Sequence, residues 1–134
     1  VIRLHGDSIA TVDGDHRQTW SAYGDRVARL AGALRALGLA AGERVAILSN
    51  NSHRYLELYH AVAWAGGIFA PINFRLAAPE QASILADCGA RFLIADDDPL
   101  VGDFSIRRCE TEDVSADDPM EMLVDPFVLC LETS

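Results

Sequence analysis

Arg75 is the residue of this chain best placed by type and position to do chemistry. It follows Asn73 and Phe74 directly after the apolar run at 68–72, and the carboxyl end of a buried parallel strand is where open α/β sheets bind ligands. A planar guanidinium with a permanent charge suits a phosphate better than an ammonium does. The competing structural reading pairs it with an acid such as Glu80. A second constellation is His53, Glu57 and His60, at i, i+4 and i+7 of a helical pattern that Trp64 continues. That spacing can set three metal ligands on one face. No H-E-x-x-H pattern or fourth ligand accompanies it, so a solvated or partner-covered face opposite Tyr55, Leu58, Tyr59 and Val62 is the simpler expectation, and Trp64 marks a place for a further part of a larger protein to pack.

Other chemistries are excluded. All eleven basic residues are arginine, which removes Schiff-base, Walker-type and other lysine chemistry from within the chain. The run at 92–95 leading into Asp96, Asp97 and Asp98 has the acids of a Mg²⁺-binding phospho-acceptor site, as in a receiver domain. Only 35 residues follow Pro99, and none is the lysine such a domain needs. No G-x-G-x-x-G or G-x-x-x-x-G-K motif is present. Cys88, Cys109 and Cys130 are odd in number and widely spaced, which fits a reduced, cytoplasmic compartment rather than a zinc site or disulfide framework. A net charge of −9 argues against nucleic acid, and no apolar window is long enough for a membrane span.

The elements that must position these residues follow from periodicity. Residues 8–12 read as a short strand before a turn at Asp13-Gly14-Asp15. Val27, Leu30, Ala31, Leu34 and Leu37 share a helical stripe over 20–37, with Arg26, Arg29 and Arg35 off it. Thr19 is its expected N-cap, and Gly38 suits the left-handed position beyond its end. The unbroken apolar run within 44–49 reads as a strand buried on both faces. A second helix starts near Asn51-Ser52 and stops at Gly66-Gly67. Residues 68–72 form the next strand. Pro79 opens a third helix that ends at Gly89, with Cys88 beside Ile84 and Leu85 as a small hydrophobe. Strands at 91–95 and 127–131 follow. Alternating strands and helices specify an α/β fold, a largely parallel sheet covered by helices, built from right-handed βαβ units.

Charge is distributed unevenly. Residues 1–95 carry nine Arg against eight acids, whereas residues 96–125 carry eleven acids against Arg107 and Arg108. Like-charge blocks of that kind are usually solvated connecting segments. The chain opens at Val1 without a methionine and stops just after an apolar run, so it is read as a partial N-terminal subdomain spanning 1–134.

Four ordered segments then point to a family. Gln18-Thr19-Trp20-Ser21 leads into Arg29-Leu30-Ala31-Gly32-Ala33-Leu34-Arg35-Ala36-Leu37-Gly38-Leu39. Gly42-Glu43-Arg44-Val45-Ala46-Ile47 precedes Asn50-Asn51-Ser52. Ala65-Gly66-Gly67 precedes Pro71-Ile72-Asn73-Phe74-Arg75-Leu76, and Leu131-Glu132-Thr133-Ser134 ends the chain. In order and spacing these resemble the start of the adenylate-forming, AMP-binding superfamily: acyl-CoA synthetases, luciferases and peptide-synthetase adenylation domains. Three features depart from the pattern. Ala22 stands where a Glu is usual, removing the reciprocal half of a capping box at Thr19. Glu132 replaces an aromatic, and the stretch between Ala95 and Phe127 is short.

The resemblance implies two steps. A carboxylate attacks the α-phosphate of Mg²⁺·ATP, releasing pyrophosphate; a thiol, usually that of CoA, then displaces AMP from the acyl-adenylate. It implies that Thr133 and Ser134 begin the ATP phosphate-binding loop and that Arg75 contacts a phosphate of CoA. The motif at 71–76 favours a carboxylate–CoA ligase of fatty-acid-type metabolism over a peptide-synthetase adenylation domain, which usually carries an Asp after the Pro-Ile. Expected partners are a small carboxylic acid, ATP, CoA, the rest of the same large domain and a possible second copy. Most of the phosphate loop and the mobile C-terminal domain lie outside the chain, so it is expected to be inactive alone; a non-catalytic structural piece is the remaining alternative.

Overall fold

The apolar stripe at the start of the chain builds one compact unit, Val1–Ala41 with Asn51–Gly67, and the buried strands build a second, Gly42–Asn50 with Ile68–Ser134. The computed structural model describes residues 2–96, 104–108 and 124–127, with side chains described over 2–95.

In the first unit a short helix α1 (Ile2–His5) precedes an antiparallel hairpin, β1 (Ile9–Asp13) and β2 (His16–Thr19). Gly14 turns the hairpin at φ +57°, the backbone an Asp-Gly hairpin requires. The hairpin is a sheet of its own, so residues 8–12 do not open the main sheet as the strand–helix alternation implied. Helix α2 (Trp20–Ala36) starts where Thr19 Oγ1 accepts from the Ala22 amide at 3.2 Å. Tyr23, Val27, Leu30, Ala31 and Leu34 are its buried residues. Helix α3 (His53–Ala65) packs against it, capped by Ser52 at one end and by a left-handed Gly66 at the other.

The buried face of α3 departs from the expected one. Glu57, Leu58, Ala61, Val62 and Ala65 are buried, while Tyr59 is 52% exposed. The charge of Glu57 is tolerated because Arg26 of α2 and Gln18 of β2 bring it hydrogen bonds.

The second unit is a five-stranded sheet in the order β4-β3-β5-β6-β7. β3 (Arg44–Leu48) pairs in parallel with β4 (Ile68–Ile72) and with β5 (Phe92–Asp96). Val45, Ala46 and Ile47 are fully buried although alternate residues point to opposite faces, as an unbroken apolar run demands. Helix α4 (Ala78–Cys88) links β4 to β5 and ends at Gly89, φ +60°. Ala46, Ile72, Leu85, Ala90 and Leu93 form a core cluster that Cys88 packs against; Ile84, the other expected neighbour of Cys88, is exposed.

The sheet is α/β with a parallel trio, extended by two antiparallel strands: β6 (Phe104–Arg108) beside β5, and β7 (Val124–Phe127) beside β6. β6 lies inside the acidic block at 96–125, which is therefore not only a connecting segment. β7 ends where the last strand was expected to begin, and residues 128–131 lie outside the described residues, as do Thr133 and Ser134.

Candidate functional site

The sheet order defines an edge. The chain leaves β3 for β4 on one side, then passes back through α4 to β5 on the other. Where winding reverses in this way, the crevice outside the carboxyl ends of the strands is the usual ligand site. Here those ends are Leu48, Ile72 and Asp96, followed by Ser49-Asn50 and by the turn at 73–77.

That turn is held almost entirely by hydrogen bonds to its backbone. The Leu76 amide donates to the Asn73 carbonyl (3.2 Å), and the Arg75 amide to Asn73 Oδ1 (3.0 Å), an Asx turn. Gln81, in the first turns of α4, donates from Nε2 to the carbonyls of Phe74 (3.3 Å) and Leu76 (2.8 Å). Glu80 Oε2 accepts from the Ala77 amide (3.1 Å), so the acid proposed as a partner for Arg75 is engaged with the backbone instead. The guanidinium of Arg75 lies over the Phe74 ring, 5.6 Å from its centroid. Both residues are exposed, and among the described residues no carboxylate lies within ion-pairing distance of Arg75. The result is a charged fork on a fixed turn just beyond the carboxyl end of β4, on the side of the sheet where open α/β sheets usually bind ligands. It can recognise an anion, and phosphate fits its geometry.

The His53, Glu57 and His60 stripe does not converge. Asp13 Oδ2 accepts from both the backbone amide (2.9 Å) and Nδ1 (2.8 Å) of His53. These two bonds hold the Asp13 carboxyl below the usual carboxylate range. The His16 ring stacks on His53 at 3.8 Å. Glu57 accepts at Oε1 from Gln18 Nε2 (2.8 Å) and Arg26 Nε (2.7 Å). Nδ1 of His60 meets the Tyr23 hydroxyl, which donates to the Leu56 carbonyl at 3.0 Å. Burial, reinforced by the Glu57 charge, pushes the Tyr23 phenol up to about 12. Each member has its own structural partner, and among the described residues no three potential ligands gather to hold a metal.

Trp64 is 56% exposed. It borders an apolar groove of about 740 Å³ within the first unit, shared with Ile2, Leu4, Trp20, Val27 and Leu56. Among the described residues no helix is long and apolar enough to cross a membrane.

The sequence singled out Arg75 but not the side chains that hold its turn. Asn73 was visible as an Asx-turn former two residues before Arg75. Gln81 gave no signal, because its function depends on carbonyls five and seven residues away.

Residues 1–127 match the family model described as AMP-binding enzyme. The chain is 32% identical over 114 residues to 4-hydroxybutyrate–CoA ligase 2 of Metallosphaera sedula, covering 84% of this chain and 21% of that protein. It is similar to the N-terminal domain of FACL13 from Mycobacterium tuberculosis, with 38% identity and a TM-score of 0.67 over 70% of this chain and 24% of that one. The N-terminal subdomain of NpsA from Klebsiella oxytoca, solved with anthranilyl-AMSN, is 25% identical with a TM-score of 0.68, over 72% and 25%. The chain thus spans about a fifth of the curated relative and about a quarter of these solved chains.

Proposed function

The chain belongs to the AMP-binding enzyme family, and on that premise we propose that the whole protein is an ATP-dependent carboxylate–CoA ligase. The observation that carries this reading is the similarity to an acid–CoA ligase along 84% of the chain. In the first step a carboxylate oxygen of the substrate attacks the α-phosphorus of ATP and pyrophosphate leaves. In the second the sulfur of CoA attacks the acyl carbonyl, loses its proton, and AMP departs. Both steps need reactants held in line and phosphate charge neutralised.

The part assigned to this chain is in the second step. Arg75 contacts a phosphate of the CoA nucleotide; such an exposed charge-assisted contact contributes about 1–2 kcal/mol. Thr133 and Ser134 begin the ATP phosphate loop in this reading. Mg²⁺ enters as the chelate of ATP. In this reading the 134-residue chain does not adenylate by itself, because most of the residues that gather the triphosphate belong to the part of the relative's length that it does not span.

A peptide-synthetase-type adenylation domain is the second reading, favoured by the NpsA likeness. Asn73, standing where such domains usually carry Asp, weighs against it. The test uses the full-length protein with a panel of carboxylic acids. Acid-dependent exchange of pyrophosphate into ATP followed by CoA thioester formation supports the ligase. Exchange with transfer only to a carrier-protein thiol supports the second reading, and no exchange with any acid overturns both.

A further inference from the structure

We infer that Gln81 is a positioning residue for the thiol-donor step, acting through Arg75; the inference rests on the reading of Arg75 given above. The carbonyls that Gln81 Nε2 reaches, those of Phe74 and Leu76, flank Arg75 on either side. Both are acceptors, so only the nitrogen end of the amide fits, and its two hydrogens serve one carbonyl each. This fixes the amide orientation.

The peptide groups around Arg75 are thereby pinned at three points: Phe74 O and Leu76 O by Gln81, and the Arg75 amide by Asn73 Oδ1. Gln81 is half-buried in α4, whereas Asn73, Phe74 and Arg75 are exposed. A rigid helix thus carries the anchor and an exposed turn carries the charge. An exposed turn without such an anchor must be ordered when its ligand arrives, which lowers affinity for that ligand alone. Gln81 therefore sets how much of the Arg75 contact is realised in CoA binding, with no part in the adenylation that precedes it.

The test compares full-length variants in both half-reactions. Gln81→Met keeps the length of the side chain and removes both donors; Gln81→Glu sets an acceptor against two carbonyls. The KM for CoA is expected to rise about three- to fivefold in Gln81→Met, from the added cost of ordering the turn, and further in Gln81→Glu. The kcat for thioester formation and the pyrophosphate-exchange rate stay near wild type. In an Arg75→Ala background, Gln81→Met adds nothing. Asn73→Ala raises the KM for CoA as well, and Asn73→Ser, which keeps an acceptor for the Arg75 amide, restores it. Four results overturn the inference: an unchanged KM for CoA in Gln81→Met, an equal rise with and without Arg75, exchange falling in parallel with thioester formation, or Asn73→Ser no better than Asn73→Ala. An Arg75→Ala variant with an unchanged KM for CoA overturns instead the reading of Arg75 on which the inference rests.

Discussion

Glu57 and Arg75 are both charged residues set next to apolar runs, and the fold treats them in opposite ways. Glu57 is fully buried, with Arg26 and Gln18 both bound to one carboxylate oxygen. Arg75 is exposed, and the turn beneath it is held by side chains that bond to its backbone and leave its guanidinium to an aromatic ring. In the first unit, polar groups are consumed by structure: Asp13 with His53, Tyr23 with His60, Arg35 with the carbonyls of Trp64 and Ala65. At the carboxyl end of β4 in the second, polar groups bond to the backbone around Arg75 and leave its charge exposed. Spacing alone allowed a metal site on the His53, Glu57 and His60 stripe, although a solvated or partner-covered face was the simpler expectation. What separates them is where their hydrogen bonds go.

The largest effect expected from this contrast is on the buried pair. Arg26→Met leaves the Glu57 carboxylate buried with Gln18 as its remaining hydrogen-bond donor, and breaking a buried pair in this way destabilises by about 3 kcal/mol or more. A lowered urea midpoint with an unchanged KM for CoA in the folded protein is the expected outcome. A shift worth under about 1 kcal/mol, the range of a surface pair, would place Glu57 with the exposed charges and erase the contrast.

Gly89→Ala gives a smaller effect and sharpens the comparison within the second unit. At φ +60° an alanine is strained, and its Cβ would lie 2.9 Å from the flexible Arg44 Nη2. Stability should fall by about 1–2 kcal/mol from the left-handed backbone, read from thermal melts. The KM for CoA should stay unchanged, because the turn at 73–77 is anchored at the other end of α4.

Acid provides the mildest perturbation. The His53 bonds hold the folded-state pKa of Asp13 below its ordinary 3.8, so its contribution is present above the unfolded value and is lost as pH falls through the folded one. Amide exchange at His53 should therefore quicken as pH falls below about 4, beyond the intrinsic trend. Asp13→Asn should remove that step, and an identical profile in the variant would show that Asp13 does not latch the hairpin to α3.

Much of this was legible in the sequence because local chemistry and tertiary structure agree. Thr19 and Ser52 begin helices, and Gly66 and Gly89 end them, where capping rules put them, and the unbroken apolar β3 run is buried on both faces. β2 was hidden because His16-Arg17-Gln18-Thr19 lacks apolar alternation and is held by its ladder to β1. β6 was hidden because its five residues sit in a block whose overall acidity reads as solvated. Glu57 was assigned to solvent because a helix pattern cannot announce an arginine 31 residues earlier. Arg75 was singled out by its place after a strand, but its support by Gln81 is a matter of distances.

The central claim is that Arg75 serves the thiol donor and nothing before it, and one paired measurement on the full-length enzyme addresses it. In Arg75→Ala, the KM for CoA should rise about tenfold or less, at 1.4 kcal/mol per decade, while acid-dependent pyrophosphate exchange proceeds at the wild-type rate. Equal impairment of both half-reactions would make Arg75 a structural residue and contradict the account.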